Sequence, residues 1–300
     1  MLSEHGCPIA PRTFYAWLSR PPSQRALWDI TITSILAGYY EPDEHGRRKP
    51  ESLYGATKMW AHLQRQGIAV ARCTVERLMR ANGWQGVTRR KKIRTTVPDP
   101  TAGRAPDLVD RQFRVTAPNV LLVADFTYVR LASAVFVYTA FAIDAYAGRI
   151  VGWQCSAGKS DAFVRAAIRQ AAELRRREGN PLTGRTIHHS DAGSQYTSVR
   201  FGETLALSGL VASIGSVGDA YDNALAETTI GLYKTEAVRD DSPFRPGPLH
   251  RLADVELLTA EWVHWYNTER LMHRLGRIPP TEYEANHYAT NTAEHPVEHH

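Results

Sequence analysis

At 300 residues, with 43% hydrophobic and 22% charged side chains and a net charge of +5, the chain is long enough for about two domains with their own cores. The most apolar run, Ala134 to Ile143, falls well short of the roughly 20 residues that cross a bilayer, and no basic-then-apolar signal opens the chain, so a cytoplasmic protein without membrane association is expected. Cys7, Cys73 and Cys155 are odd in number and scattered, which indicates neither a disulfide framework nor a zinc site.

Charge is distributed unevenly. Residues 1–105 carry 17 Lys and Arg against 8 Asp and Glu, a net of +9, whereas the remainder carries a net of −4. Within the basic part, Arg12 to Leu18 and Gln24 to Ala37 read as two helices joined by Pro21-Pro22. Leu53 to Arg65 has a helical apolar pattern (Leu53, Ala56, Met59, Trp60, Leu63), Gly67 breaks it, and Arg72 to Ala81 is a second helix stopped by Asn82-Gly83. Two helices about a glycine turn are helix-turn-helix geometry, although a plain helical hairpin has the same pattern. In the second helix Val75, Leu78 and Met79 face inward, leaving Arg72, Arg77 and Arg80 for a groove of duplex DNA. Arg89, Arg90, Lys91 and Lys92 follow as candidate phosphate contacts, and a Pro-punctuated segment from Pro98 to Pro106 reads as an interdomain linker.

Beyond the linker, Val120 to Leu131, Val135 to Asp144 and Arg149 to Ser156 read as three successive strands, Asp161 to Glu178 as an amphipathic helix, and the surroundings of Ile187 and Val211 as two more strands. Three carboxylates stand out. Asp125 interrupts an apolar strand, where an unpaired charge is costly unless it has a partner or a metal. Asp191 closes Thr186-Ile187-His188-His189-Ser190, although with Ala192-Gly193-Ser194 after it, it also suits a turn. Glu227 is separated from Asp191 by 35 residues and lies in a helical stretch opened by Asp222-Asn223. Asn223 one turn before Glu227 and Lys234 two turns after it fall on nearly one helical face, since seven residues advance about 700°. Such a carboxylate set suits Mg²⁺ or Mn²⁺, which prefer oxygen ligands and bridge phosphate oxygens. His188 and His189 suit structural roles better than this class of metal, Asp144 is a further carboxylate on a neighbouring strand, and Trp262, Trp265 and Tyr266 at helical spacing read as core.

Val123-Ala124-Asp125-Phe126-Thr127-Tyr128, Ile143-Asp144-Ala145-Tyr146-Ala147-Gly148-Arg149, His188-His189-Ser190-Asp191, Asp222-Asn223-Ala224 with Glu227, and Tyr266-Asn267 with Arg270 follow one another in this order. In this series the chain resembles the transposases encoded by the second reading frame (OrfB) of insertion sequences of the IS-three type, relatives of retroviral integrases. The resemblance covers almost the whole chain. It implies an α/β fold: a ribonuclease-H-like integrase catalytic core, with a mixed five-stranded sheet and flanking helices, preceded by an all-α helix-turn-helix domain. The expected division is a helical, DNA-binding region at 1–105, the core at 106–236, a helical extension at 237–287 and a disordered tail at 288–300.

The resemblance also implies metal-dependent strand cleavage and strand transfer, with Asp125 shared by two Mg²⁺ or Mn²⁺ ions and Asp191 and Glu227 completing one site each. Lys234 and Asn223 are expected beside the DNA, Lys234 holding a phosphate near the scissile bond and Asn223 orienting the helix or a metal-bound water. The implied partners are the element's terminal inverted repeats and target DNA, further copies of the chain on DNA, and the upstream OrfA product as fusion or partner, since no OrfA-like segment precedes Met1. Where the family commonly has Trp three residues before the first catalytic Asp, this chain has Leu122. A ribonuclease-H-like nuclease and an inactive DNA-binding regulator derived from an insertion element are the alternatives.

Overall fold

The computed structural model describes residues 10–88, 115–190, 195–196, 198–214 and 223–294. It divides into two compact units, 1–86 and 87–300. Arg89, Arg90, Lys91, Lys92 and the linker therefore lie outside the described residues, as does Asp191.

The first unit is helical. Helix α1 (Pro11–Leu18) is followed by α2 (Gln24–Tyr40), whose N-cap Ser23 accepts a bond from the Ala26 amide at 3.2 Å. The helix expected from Leu53 is split: Pro50–Leu53 form a 3₁₀ turn, and α3 starts at Ala56 and runs to Arg65. Gly67, at φ +78°, supplies the left-handed turn into α4 (Arg72–Ala81). Ile32 and Leu36 of α2, Met59 and Leu63 of α3, and Val75, Leu78 and Met79 of α4 form the core. Trp60 Nε1 and Gln64 Nε2 both donate to the Val70 carbonyl at 2.9 Å, fixing the entry to α4.

The second unit is built on a five-stranded sheet. In chain order its elements are β1 (Leu121–Arg130), β2 (Phe136–Asp144), β3 (Arg149–Ser156), α5 (Asp161–Arg177), β4 (Thr186–Ser190), α6 (Val199–Leu207), β5 (Leu210–Ile214), α7 (Ala224–Tyr233), α8 (Leu252–Thr268) and α9 (Pro280–Glu294). The strand order is β3-β2-β1-β4-β5, with β1, β2 and β3 antiparallel and β4 and β5 parallel to β1. The mixed five-stranded sheet with flanking helices is thus the expected architecture, with β1 at its centre.

Side-chain alternation along β1 assigns its two faces. Leu122 and Ala124 pack with Ala140, Ala142 and Val151 against Phe163, Val164, Ala167 and Ile168 of α5. Gly152 is required there, because a Cβ would run into the carbonyl oxygen of Ala167. The opposite face is covered by α7 and α8: Phe141 of β2 meets Tyr233 of α7 at 5.1 Å and Trp262 of α8 at 6.1 Å between ring centroids. Leu122, where the family commonly has Trp, is fully buried on the α5 side.

Helix α9 reaches Glu294, beyond the boundary at 288 from which a disordered tail was expected. The reason is tertiary. Glu284 is buried and bonded to Arg175 of α5, which also binds Asp144 at 2.7 Å, while Arg149 reaches Glu284 at 3.0 Å. That network docks the first turns of α9 on the core, and Tyr146 packs against Tyr283 and His287 of the same helix, ring centroids 5.1 and 5.0 Å apart.

Candidate active site

Asp125 lies in the middle of the central strand, directly opposite Phe141 in the β1–β2 register. Directly paired residues share a face, so Asp125 projects to the same side as Phe141, the side covered by α7. It is half-buried, and its Oδ1 accepts a bond from the Phe126 amide at 2.7 Å. On the other side of β1, Ser190 pairs with Ala124 as the last described residue of β4. Asp191 follows Ser190 in sequence by one peptide unit.

Helix α7 is brought to this point by Asn223. Its residue is the N-cap, yet its side chain makes no cap bond; instead Nδ2 donates to the Ala124 carbonyl at 2.9 Å. Asn223 is 2% exposed, so it is not the DNA contact expected from the sequence; burial makes it a staple between α7 and β1. Glu227 follows one turn later and is half-buried. Its amide donates to the Asn223 carbonyl at 3.0 Å, so staple and carboxylate belong to one helical turn.

The α-helical hydrogen bonding ends at Tyr233, and residues 234–238 form a π turn. Lys234 opens that turn, is exposed, and places Nζ 4.6 Å from the ring centroid of Tyr128, three residues beyond Asp125 on β1. Two residues later Glu236 is buried, bound to Arg270 at 2.6 Å and accepting a bond from Trp262 Nε1 at 3.3 Å. Sequence reasoning passed over Glu236, since an acidic residue on a helix ordinarily faces solvent.

Other expected residues resolve as structural. Asp144 is fully buried, paired with Arg175 and bonded by the amides of Asn119 at 2.8 Å and Tyr146 at 3.0 Å. His188 is buried beside Phe201, ring centroids 5.3 Å apart, and burial, aided by neighbouring His189, pushes its pKa down to about 3. His189 Nδ1 meets Ser213 Oγ at 3.0 Å. Trp262, Trp265 and Tyr266 are buried core.

On α4, Arg72, Arg77 and Arg80 are all exposed, with Val75, Leu78 and Met79 buried behind them. Arg77 is tied to Asp29 of α2 at 2.6 Å and Arg80 to Glu76 at 3.1 Å.

The described donors fit a hard divalent cation. Asp125 and the helix of Glu227 share one face of the sheet, and the buried Asn223 Oδ1 has no hydrogen-bond partner. All are oxygens, and both imidazoles of β4 are buried in packing. Among the described residues no three acidic, His or Cys side chains cluster as a metal site.

The integrase core domain model matches residues 115–220 and a second integrase core domain model matches 208–280, while an HTH-like domain model matches 43–92. A putative transposase for insertion sequence element IS986/IS6110 from Mycobacterium tuberculosis is 48% identical over 282 residues, covering 94% of this chain and 97% of the relative. This chain belongs to the insertion-sequence transposases. The transposase for insertion sequence element IS629 from Shigella sonnei is likewise 48% identical, over 94% of this chain and 90% of its own length. Among solved structures, the HTLV-2 integrase catalytic core domain in complex with magnesium covers 56% of this chain at 18% identity and a TM-score of 0.42. The transposase is a polynucleotidyl transferase of the Asp-Asp-Glu class with an integrase core, its chemistry depends on divalent metal, and its helix-turn-helix-like domain binds DNA. Among its described residues no helix is long and apolar enough to cross a membrane.

Proposed function

We propose that this transposase cleaves and joins DNA strands at the ends of its own insertion sequence, with Asp125, Asp191 and Glu227 as the metal-binding carboxylates. The observation that carries the reading is the Asn223–Ala124 bond, which draws the helix of Glu227 to the strand position next to Asp125. Two Mg²⁺ or Mn²⁺ ions would supply charge neutralisation at the attacking and departing oxygens of a phosphodiester. Asp125, from the rigid centre of the sheet, would be the carboxylate available to both ions, and Asp191 and Glu227 would each supply a carboxylate to one of them. Lys234 holds a phosphate beside the scissile bond as a mobile point charge, and Asn223 keeps the helix in register with β1. No protein nucleophile is needed. Cleavage at one element end, attack of the freed 3′-hydroxyl near the other end, a circular intermediate and insertion form the proposed sequence of events.

The terminal inverted repeats are read by the face of α4 that exposes Arg72, Arg77 and Arg80, with Arg89, Arg90, Lys91 and Lys92 adding phosphate contacts. The protein works in the cytoplasm as an oligomer on DNA, with the OrfA product as fusion or partner. The test is incubation with Mg²⁺ and candidate element ends, read on strand-resolving gels. Asp125→Asn, Asp191→Asn and Glu227→Gln are each expected to lose about a thousandfold in cleavage and joining, roughly 4 kcal/mol of transition-state stabilisation, with folding and DNA binding retained. A variant that kept more than about a tenth of wild-type activity would remove that residue from the site.

A further inference from the structure

The α5 side of the sheet does not end where α5 ends. Phe126 of β1 and Tyr138 of β2, ring centroids 6.5 Å apart, are roofed by Phe163 in the first turn of α5 at 5.6 Å and 6.3 Å. Tyr128 and Phe136, the next pair along the same face, meet edge-to-face at 5.1 Å and are 50% and 45% exposed. Large aromatics left open in this way form a surface that some apolar, planar group can cover.

Cations from three separate elements border the strip. Lys234 of the π turn stands 4.6 Å over Tyr128, Lys159, just before α5, stands 5.4 Å over Phe126, and Arg130 is exposed on β1 opposite Phe136. Exposed rings interleaved with positive charge match a polyanion that carries flat bases, namely single-stranded DNA. An α-helix or an acidic peptide would use the charge and leave the ring faces without purpose.

Position adds to chemistry. Tyr128 is three residues from Asp125, about 10 Å along the strand, with its side chain on the opposite face of the sheet; Lys234, seven residues after Glu227, brings its Nζ within 4.6 Å of the Tyr128 ring. We infer that Tyr128, with Phe136 behind it, is a stacking platform for an unpaired nucleotide a few positions from the scissile phosphate, its backbone held by Lys234 and Lys159. This rests on Asp125 marking the reaction centre. The platform holds the frayed end of the element apart from the duplex while the strand is cut, which makes Tyr128 a positioning residue.

The test uses the full chain and an element-end duplex carrying 2-aminopurine in turn at each of the four positions on either side of the scissile phosphate, on both strands, with metal withheld so that no strand is cut. Stacking on Tyr128 should quench the probe at one or two neighbouring positions, with the quench lost in Tyr128→Leu and kept in Tyr128→Phe. Tyr128→Leu keeps apolar packing while removing the flat ring, and Phe136→Ala should weaken the quench in part, giving a second reading if Tyr128→Leu folds poorly. With Mg²⁺ restored, Tyr128→Leu should cut about tenfold more slowly on duplex ends and lose less on ends already frayed by mismatches, while Tyr128→Phe stays near wild type. A quench pattern unchanged by both Tyr128→Leu and Phe136→Ala, or equal losses on paired and frayed ends, overturns the proposal. The fluorescence arm needs no chemistry, so it separates this failure from failure of the catalytic assignment, which shows as Asp125→Asn keeping more than about a tenth of wild-type cleavage.

Discussion

Asn223 and Ala124 lie 99 residues apart in sequence and are joined by one buried hydrogen bond of 2.9 Å, and that bond connects the helix of Glu227 to the strand of Asp125. Asn223→Ala leaves the Ala124 carbonyl buried without this donor, at a cost of about 1–3 kcal/mol. Thermal unfolding should fall by several degrees, at about 2–4 °C per kcal/mol for a unit of this size. Strand cleavage at saturating DNA should fall further than stability does, at least tenfold, because Glu227 follows the displaced helix. Wild-type cleavage by a destabilised Asn223→Ala protein would show that the staple serves stability alone.

Lys234→Ala should separate catalysis from folding. The side chain is exposed and its contact with the Tyr128 ring is worth about 0.5–1 kcal/mol, so unfolding should change by less than about 1 kcal/mol. Loss of a phosphate contact beside the reaction should slow cleavage by roughly tenfold. A normally folded variant with wild-type rates would return this lysine to the solvated surface.

The arginines of α4 should not behave alike. Arg72→Ala is expected to weaken binding to duplex ends and to lower the slope of log affinity against log salt by about one ion. Arg77 is already neutralised by Asp29 at 2.6 Å, so Arg77→Ala should change the slope less, and Asp29→Asn should tighten binding by freeing it. Titration of the full chain at several salt concentrations decides this. Affinity that does not vary between low and physiological salt removes α4 and the basic run from DNA contact altogether.

His188 gives the second unit a pH dependence. Its pKa is pushed down to about 3 by burial, against about 6.5 when unfolded, so the folded state stays neutral while the unfolded state takes up a proton. The stability tied to this residue is complete above about pH 6.5 and is lost as pH falls from there toward 3, at about 1.4 kcal/mol per pH unit. By pH 5 the loss is about 2 kcal/mol. Unfolding followed from pH 7.5 to 5 should show a shallower decline in His188→Leu than in the wild type, and parallel curves would assign the acid sensitivity to other groups.

The sequence by itself determined most of the elements and the identity of the candidate carboxylates. Period-2 and period-3.6 patterns are local, so β3 from Arg149 to Ser156 and α4 from Arg72 to Ala81 begin and end where the pattern does. Asp125 was legible because a charge inside an apolar strand is an anomaly at the level of residue type, and the ordered motifs marked Asp191 and Glu227. Contacts between distant segments decided the rest. Asn223 reads as a polar residue on the face of Glu227 until Ala124 comes to meet it, and Asp144 reads as a spare carboxylate until Arg175 is found beside it. Helix α9 is docked through Glu284, buried in an ion network drawn from four segments, and no periodicity within α9 encodes its partners. Lys234 opens the π turn just past the last α-helical residue, and its neighbour Tyr128 comes from a strand more than a hundred residues earlier, so only the fold could set the two together. Hydrophobic periodicity is written in neighbouring residues, whereas buried polar partnership depends on which surfaces the packed core brings face to face.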